Sequence, residues 1–350
     1  MNTIELLTKA AKRKASDLHI TSGVPGTIRI HGKLEFVDDV ILQPADTKQI
    51  ARELTTDVQW DRLNKKGEVD FLYVIPEVQR FRVNAYRQRN TYSVALRLVN
   101  SEIPSFDTLG LPNIVKDLTK KNNGLILVTG PTGSGKSTTL ASMIQEINET
   151  TDMHIITLED PVEYLFKHNK SIIDQREVGT DTLNFSNALR ACLRQDPDVI
   201  LVGEMRDFET ISIALTAAET GHLVLSTLHT VGAASTIDRV IDVFPPHQQL
   251  QIRVQLALTL QGIISQQLLT KADSSGRVAA LEIMVVNPAV RHLIREGKVY
   301  QLNNIIQTNA KSGMRMMDDS LADLYKKGLI TREDALGHCV EYDYLNKILL

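Results

Sequence analysis

Cysteine is scarce in this chain: Cys192 and Cys339 are its only two. They stand far apart and no CxxC occurs, which excludes a Cys₄ zinc site and reads as a protein of a reducing, cytoplasmic compartment. Aromatic residues make up 5% of the chain, with one tryptophan. The sequence shows no strip of aromatic and basic residues of the kind that stacks nucleic acid, so direct nucleic-acid contact is not expected. A net charge of −3 gives no global attraction to nucleic acid or to an anionic membrane. No apolar run approaches the roughly 20 residues needed to cross a bilayer. The start of the chain, Met1-Asn-Thr-Ile-Glu-Leu-Leu-Thr-Lys-Ala10, carries an early acid and reads as an amphipathic helix, not a signal peptide. Internal repeats and low-complexity segments are also missing. Any work at a membrane therefore needs another molecule to bring the chain there.

What is present suits a sizeable globular protein. The chain has 350 residues and 43% hydrophobic content, which suggests two domains or one large one with additions. Residues 1–13 have helical apolar spacing, with Ile4, Leu7 and Ala11 on one side. Residues 17–30 alternate around a turn at Gly23-Val-Pro-Gly26. His31-Gly-Lys33 marks a second turn, giving a hairpin of residues 27–30 and 34–37. Residues 44–66 read as helix and 69–74, 80–87 and 91–98 as strands. Together these predict a small α+β domain over residues 1–98. Residues 99–112 contain Pro104, Gly110 and Pro112 and have the composition of a linker. In residues 113–350 the pattern changes. Apolar runs at 125–129, 154–158, 199–202 and 223–227 alternate with helical segments, the signature of a mostly parallel sheet with crossover helices. From about residue 245 the spacing predicts helices only, over 248–267, 288–296, 300–310, 318–327 and 332–339.

The most specific feature is Gly130-Pro131-Thr132-Gly133-Ser134-Gly135-Lys136-Ser137, followed by Thr138. It lies between an apolar strand and a helical segment. This is the strand–GxxxxGKS–helix arrangement that wraps backbone N–H groups around phosphate oxygens at a helix N-terminus. Lys136 would contact the β- and γ-phosphates of ATP and Ser137 would hold Mg²⁺.

Three clusters come after it in the chain. Ile156-Thr-Leu-Glu159-Asp160-Pro-Val-Glu163 ends a strand in acids. Glu159 and Asp160 are placed to reach Mg²⁺ through water, and Glu163 to act near the phosphates. In Val199-Ile-Leu-Val-Gly-Glu204-Met-Arg206 the usual strand-end aspartate is replaced by Gly203. Glu204 is then the available carboxylate, a general base or water-orienting group. In Thr220-Gly-His222-Leu-Val-Leu-Ser-Thr-Leu-His229 two histidines flank a strand. A zinc site would need a third ligand, and none is evident. His229, past the strand end, has the better position to report a γ-phosphate. Arg194 and Arg206 in the second domain, and Arg82 and Arg97 in the first, are candidates to reach nucleotide across an interface.

Taken together, these motifs resemble the secretion ATPase superfamily, most closely its PilT-type twitching-motility members. The similarity extends over Ala15-Ser-Asp-Leu-His19, Arg80-Phe-Arg-Val-Asn-Ala85, Gln175-Arg-Glu177 and Ala289-Val-Arg-His-Leu-Ile-Arg-Glu296. The last is similar to a retraction motif of these ATPases, with Val290 for Ile and His292 for Asn. The resemblance implies a PAS-like first domain and a RecA-like second domain. It implies a homo-hexameric ring at the inner-membrane face, with nucleotide between domains and between subunits. Hydrolysis would turn an inner-membrane platform protein so that pilins leave the fibre. Glu163 would belong to an acidic box, Glu204 would be the catalytic acid and His222 and His229 would form a histidine box. Members that assemble pili or drive type II secretion commonly carry paired CxxC motifs, which this chain lacks. An accessory retraction paralogue that works with a partner motor is a further reading.

Overall fold

The computed structural model describes residues 2–30, 32–76, 78–99 and 102–349. His31 of the expected turn and Asn100 and Ser101 of the expected linker lie outside the described residues, as do Met1 and Leu350 at the limits of the two expected domains. The chain divides into two compact units, Met1–Glu102 and Ile103–Leu350.

In the first unit, α1 (Thr3–Lys12) is capped by Asn2, whose side chain accepts from the Ile4 and Glu5 N–H groups. The strands β1 (Asp17–Ile20), β2 (Thr27–Ile30) and β3 (Lys33–Phe36) come next. Residues 44–66 form two helices and not one, α2 (Pro44–Leu54) and α3 (Asp57–Lys66). Thr55 is extended and ends α2, and the Thr56 side chain accepts from the Gln59 N–H to start α3. Then come β4 (Glu68–Ile75), β5 (Gln79–Gln88) and β6 (Thr91–Val99). The six strands form one antiparallel sheet in the order β3-β2-β1-β6-β5-β4. Leu18, Phe81, Val83, Val94 and Leu96 bury one face against Leu6, Leu7, Ile50 and Leu63 of the helices. Strand side chains alternate faces, so Arg82 and Arg97 are exposed.

The second unit begins inside the expected linker. Ser105 caps the short helix α4 (Phe106–Leu109). Phe106 and Leu111 then enter the core with Val115 and Leu118 of α5 (Asn113–Leu118). Residues 103–112 are therefore packed structure, because two large apolar side chains draw them onto the sheet. The chain continues through β7 (Gly124–Thr129), α6 (Lys136–Thr150), β8 (His154–Glu159), β9 (Ile172–Glu177), α7 (Phe185–Cys192), β10 (Val199–Val202), α8 (Phe208–Glu219), β11 (Leu223–Leu228), α9 (Ala233–Asp242) and α10 (Pro246–Thr259). Then come β12 (Leu260–Thr270), β13 (Arg277–Val285), α11 (Pro288–Arg295), α12 (Leu302–Thr308), α13 (Met317–Lys326), α14 (Arg332–Gly337) and α15 (Tyr342–Ile348).

The sheet has seven strands in the order β13-β12-β7-β11-β10-β8-β9. All neighbours are parallel except β12 and β13. Cores on the two faces cover every residue of β7, β10 and β11, which is why these segments read as unbroken apolar runs. At one edge, β9 carries Asp174, Arg176 and Glu177. At the other, Ile283 of β13 exchanges backbone hydrogen bonds with Arg315. Neither cysteine is in a disulfide; Cys192 is buried, which pushes its thiol up to about 12.

The helix expected over 248–267 is overturned. Only its first half is helical; residues 260–270 are a strand that extends the sheet beside β7. Leu256, Leu260, Ile263, Ile264 and Leu268 imitate helical spacing, but Gly262 identifies the strand in the structure. A β-carbon there would lie 2.9 Å from a Leu118 methyl and 3.2 Å from the Met284 carbonyl oxygen. Gly262→Val should therefore cost about 1–3 kcal/mol through overpacking, read as a lower denaturant midpoint. An unchanged midpoint would contradict this packing.

Candidate nucleotide-binding site

Parallel pairing sets the site. Thr129 of β7 is in register with Leu228 of β11, and Val202 of β10 with Ser226 of β11 and Leu158 of β8. The carboxyl ends of these strands therefore gather at one edge of the sheet, and with them the 130–135 loop, Glu159-Asp160, Gly203-Glu204 and His229.

The loop is seated on β12. A β-carbon at Gly130 would fall 2.2 Å from the Gln266 carbonyl oxygen, and one at Gly135 2.8 Å from the Gln266 amide nitrogen. Both residues also have positive φ, 141° and 88°, so no other residue type fits either position. Gln266 accepts a 2.8 Å hydrogen bond from the Thr139 hydroxyl in the first turn of α6. Loop and helix are thus fixed from below by one side chain. Lys136 is buried, and its ammonium donates to the carbonyl oxygens of Gly130 and Pro131, each at 2.9 Å. Burial lowers its pKa, and the charges of Glu163 and Glu204 oppose that shift.

The edge opens into a cavity of about 210 Å³. Thr132, Gly133, Lys136 and Ser137 line it from the loop; Glu159, Asp160, Glu163, Glu204 and His229 line it from the other strand ends. One oxygen of Glu204 lies 2.8 Å from Arg206 Nε and 3.5 Å from His229 Nε2. The Thr227 hydroxyl donates to the Gly203 carbonyl at 2.6 Å and fixes the turn that presents Glu204. A β-carbon at Gly203 would come within 3.2 Å of the Leu158 carbonyl oxygen, so strand crowding favours glycine where an aspartate is usual. Glu159 is already engaged. It accepts from the Thr157 hydroxyl at 2.6 Å and from the Gln175 amide at 3.3 Å. Burial pushes its carboxyl up, against the pull of those hydrogen bonds.

Two expected residues of the second unit lie at the opposite edge of its sheet. His222 precedes β11, and Arg194 lies in the segment that feeds β10, so both sit at the amino edge of the parallel sheet. His222 Nδ1 is 2.9 Å from the Ala217 carbonyl oxygen, and Arg194 donates to the Arg190 carbonyl. With a rise of about 3.3 Å per residue, β11 separates His222 from His229 by about 20 Å. Arg82 and Arg97 belong to the first unit, opposite each other across β5 and β6, and Arg97 pairs with Asp17 at 3.0 Å. Thr138 is hydrogen-bonded to the Tyr164 hydroxyl at 2.9 Å.

Tyr164, Phe166 and Phe185 also wall the cavity, and sequence reasoning missed them along with Gln266. The first two come directly after the acidic segment, a proximity that could have flagged them. Gln266 was hidden by the helical reading of its segment. Gln266→Leu should leave the buried Thr139 hydroxyl unpaired, at a cost of about 1–3 kcal/mol. A lower thermal midpoint and weaker binding of a fluorescent nucleotide are expected, and an unaltered affinity would show that the loop does not depend on this support.

Among the described residues no helix is long and apolar enough to cross a membrane, and no group of three or more His, Cys, Asp or Glu side chains could hold a metal. Comparison with known proteins gives consistent matches. The type IV pilus retraction ATPase PilT of Pseudomonas aeruginosa is 49% identical over 339 residues, covering 96% of this chain and 97% of that protein. The type IV pilus ATPase PilU of the same organism is 40% identical and covers 95% of this chain and 87% of its own. A crystal structure of the pilus retraction motor PilT with bound ADP superposes with a TM-score of 0.94 at 50% identity, over 99% of both chains. The family described as type II/IV secretion system protein matches residues 2–336. The chain therefore belongs to the type II/IV secretion system protein family.

Proposed function

We infer that this chain is an ATP-hydrolysing motor that drives retraction of type IV pili. One observation carries the chemistry: Glu204, Lys136 and His229 line a single cavity at the carboxyl edge of the sheet, beside a glycine loop that opens a helix. The 49% identity to a pilus retraction ATPase, over nearly the whole of both chains, supports the biological role.

In this reading the N–H groups of residues 132–135 and the start of α6 receive the phosphates, since Pro131 has no N–H and that of Gly130 is donated to Leu228. Lys136 leaves the loop carbonyls for the β- and γ-phosphates. Glu204 accepts the proton of the attacking water, and Arg206 and His229 orient its carboxylate. His229 also reports whether a γ-phosphate is present. Ser137 would offer Mg²⁺ a hydroxyl, and Glu159 and Asp160, which line the same cavity, would reach it through water. Such a set suits an ion that keeps waters and takes its other ligands from phosphate. The ion would neutralise charge that develops on the phosphates.

The family resemblance supports a PAS-like first unit, a RecA-like second unit and a hexameric ring at the inner-membrane face that acts on a platform protein. Within such a ring, Arg82 and Arg97 of the first unit, and Arg194 and His222 at the amino edge of the large sheet, serve a neighbouring subunit's nucleotide or its contacts. An accessory paralogue of the PilU kind is the second reading; its relative is the less similar of the two, at 40% identity.

Lys136→Ala should abolish nucleotide binding or turnover. Glu204→Gln should bind ATP within about twofold of wild type but hydrolyse it about 10²–10⁴-fold more slowly. In the source bacterium, a deletion strain should be hyperpiliated and non-twitching, and only the wild-type gene should rescue it. Bald cells would instead make this an assembly motor.

A further inference from the structure

Residues 160–166 form one wall of the cavity, to which they contribute Asp160, Pro161, Glu163, Tyr164 and Phe166. They belong to no helix or strand. Among the described residues, their backbone exchanges no hydrogen bond with other backbone groups. Backbone groups that leave water need partners all the same, and here side chains supply them. Gln175 stands half-buried on β9. Its amide nitrogen donates to the Tyr164 carbonyl oxygen at 2.8 Å, and its amide oxygen accepts from the Phe166 N–H at 2.9 Å. Two residues along the same face of β9, Glu177 accepts from the Val162 N–H at 3.1 Å.

The chemistry of these contacts selects an amide. The Phe166 N–H can only donate and the Tyr164 carbonyl can only accept, so the partners settle which way the Gln175 amide points. Glutamine offers a donor and an acceptor on one planar group. Glutamate would lose the donor and set a charge against Glu159, to which Gln175 also donates at 3.3 Å. The register agrees: Gln175 pairs with Thr157 and Glu177 with Glu159 on the neighbouring β8, so the edge strand reaches one step past the end of β8 to the segment that follows it. The segment has a second tie. The Tyr164 hydroxyl is hydrogen-bonded at 2.9 Å to that of Thr138 in the first turn of α6. Glu163 stands between the tie to β9 and the tie to α6.

We propose that Gln175 is a positioning residue for ATP hydrolysis, which holds residues 162–166 so that Glu163 and Tyr164 face the nucleotide. It acts through the segment and touches no nucleotide itself. The role rests on the assignment of the cavity to nucleotide. Binding and hydrolysis should separate in its loss. The phosphate loop is seated on β12 and keeps its hold on phosphate, while the wall opposite the loop loses its place.

The test uses the full-length protein with ATP and Mg²⁺. Affinity for a fluorescent nucleotide, kcat, KM and hydrogen exchange over residues 160–167 are measured for wild type, Gln175→Met, Tyr164→Phe and the double variant. In wild type, nucleotide should slow exchange over 162–166 severalfold. Gln175→Met is close in volume and lacks the amide. It should lower kcat roughly tenfold to a hundredfold, as a small misplacement at a reacting site does, with affinity and KM within about twofold of wild type. Exchange should rise at Phe166, which loses its acceptor, more than at Val162, which keeps Glu177. Tyr164→Phe cuts the tie to Thr138 and should also lower kcat. In the double variant the combined loss should fall well short of the product of the two, because both residues act through one segment. Losses that multiply overturn the role, as does a Gln175→Met protein with wild-type kcat or one whose whole loss is in affinity. If Gln175→Met does not fold, the wild-type arm decides: exchange over 162–166 that ignores nucleotide overturns the role. Wild-type protein that binds no nucleotide overturns the assignment of the cavity, and the role with it, before any variant is made.

Discussion

Direction of travel is the constraint on which the site depends. β7, β8, β10 and β11 all run the same way and are covered on both faces. Their ends are held by ladder hydrogen bonds and by side chains packed to near-crystalline density. A loop at the carboxyl edge inherits that rigidity, and a segment at the amino edge is kept an entire strand length away. The lysine, the acids and His229 gather because each comes after a strand. His222 is set apart because it precedes one.

The same rule explains how much was legible in the sequence. Residues 130–137 declared themselves because the glycines, the lysine and the hydroxyl must stand at fixed spacing. Glu204 and His229 could be read because each comes after a short, wholly apolar run, and such a run in a parallel sheet has a defined end. Alternation in residues 80–98 gave the antiparallel strands of the first unit for the same local reason. The misreadings arose where tertiary pairing overrode local pattern. Residues 260–270 carry apolar side chains at helical spacing, yet they pair with β7 and β13. Residues 103–112 have linker composition, but Phe106 and Leu111 find a core. No local signal distinguishes those outcomes.

The hairpin of β12 and β13, whose first strand begins in a segment with helical spacing, holds two loops beside the site. Gln266 lies beneath the phosphate loop, Ser265 holds Gly232 and Glu282 holds Ala233. These three polar side chains come from adjacent strands and reach two loops that are distant in sequence. The loops supply the chemical groups, and the hairpin sets where those groups stand. Burial makes each of these polar contacts costly to break, so the site is held by satisfied hydrogen bonds as much as by apolar packing.

The two edges of the large sheet have a consequence for a protein proposed to work beside copies of itself. Open strand edges invite pairing with other edges, a route to aggregation that crowded subunits would favour. β9 offers Asp174, Arg176 and Glu177, whose charges resist a docking strand. On the other side, Arg315 already takes the backbone groups of Ile283 that a foreign strand would seek. Copies of this chain can therefore meet through side-chain surfaces without their sheets fusing into a continuous ribbon, and association can stay reversible.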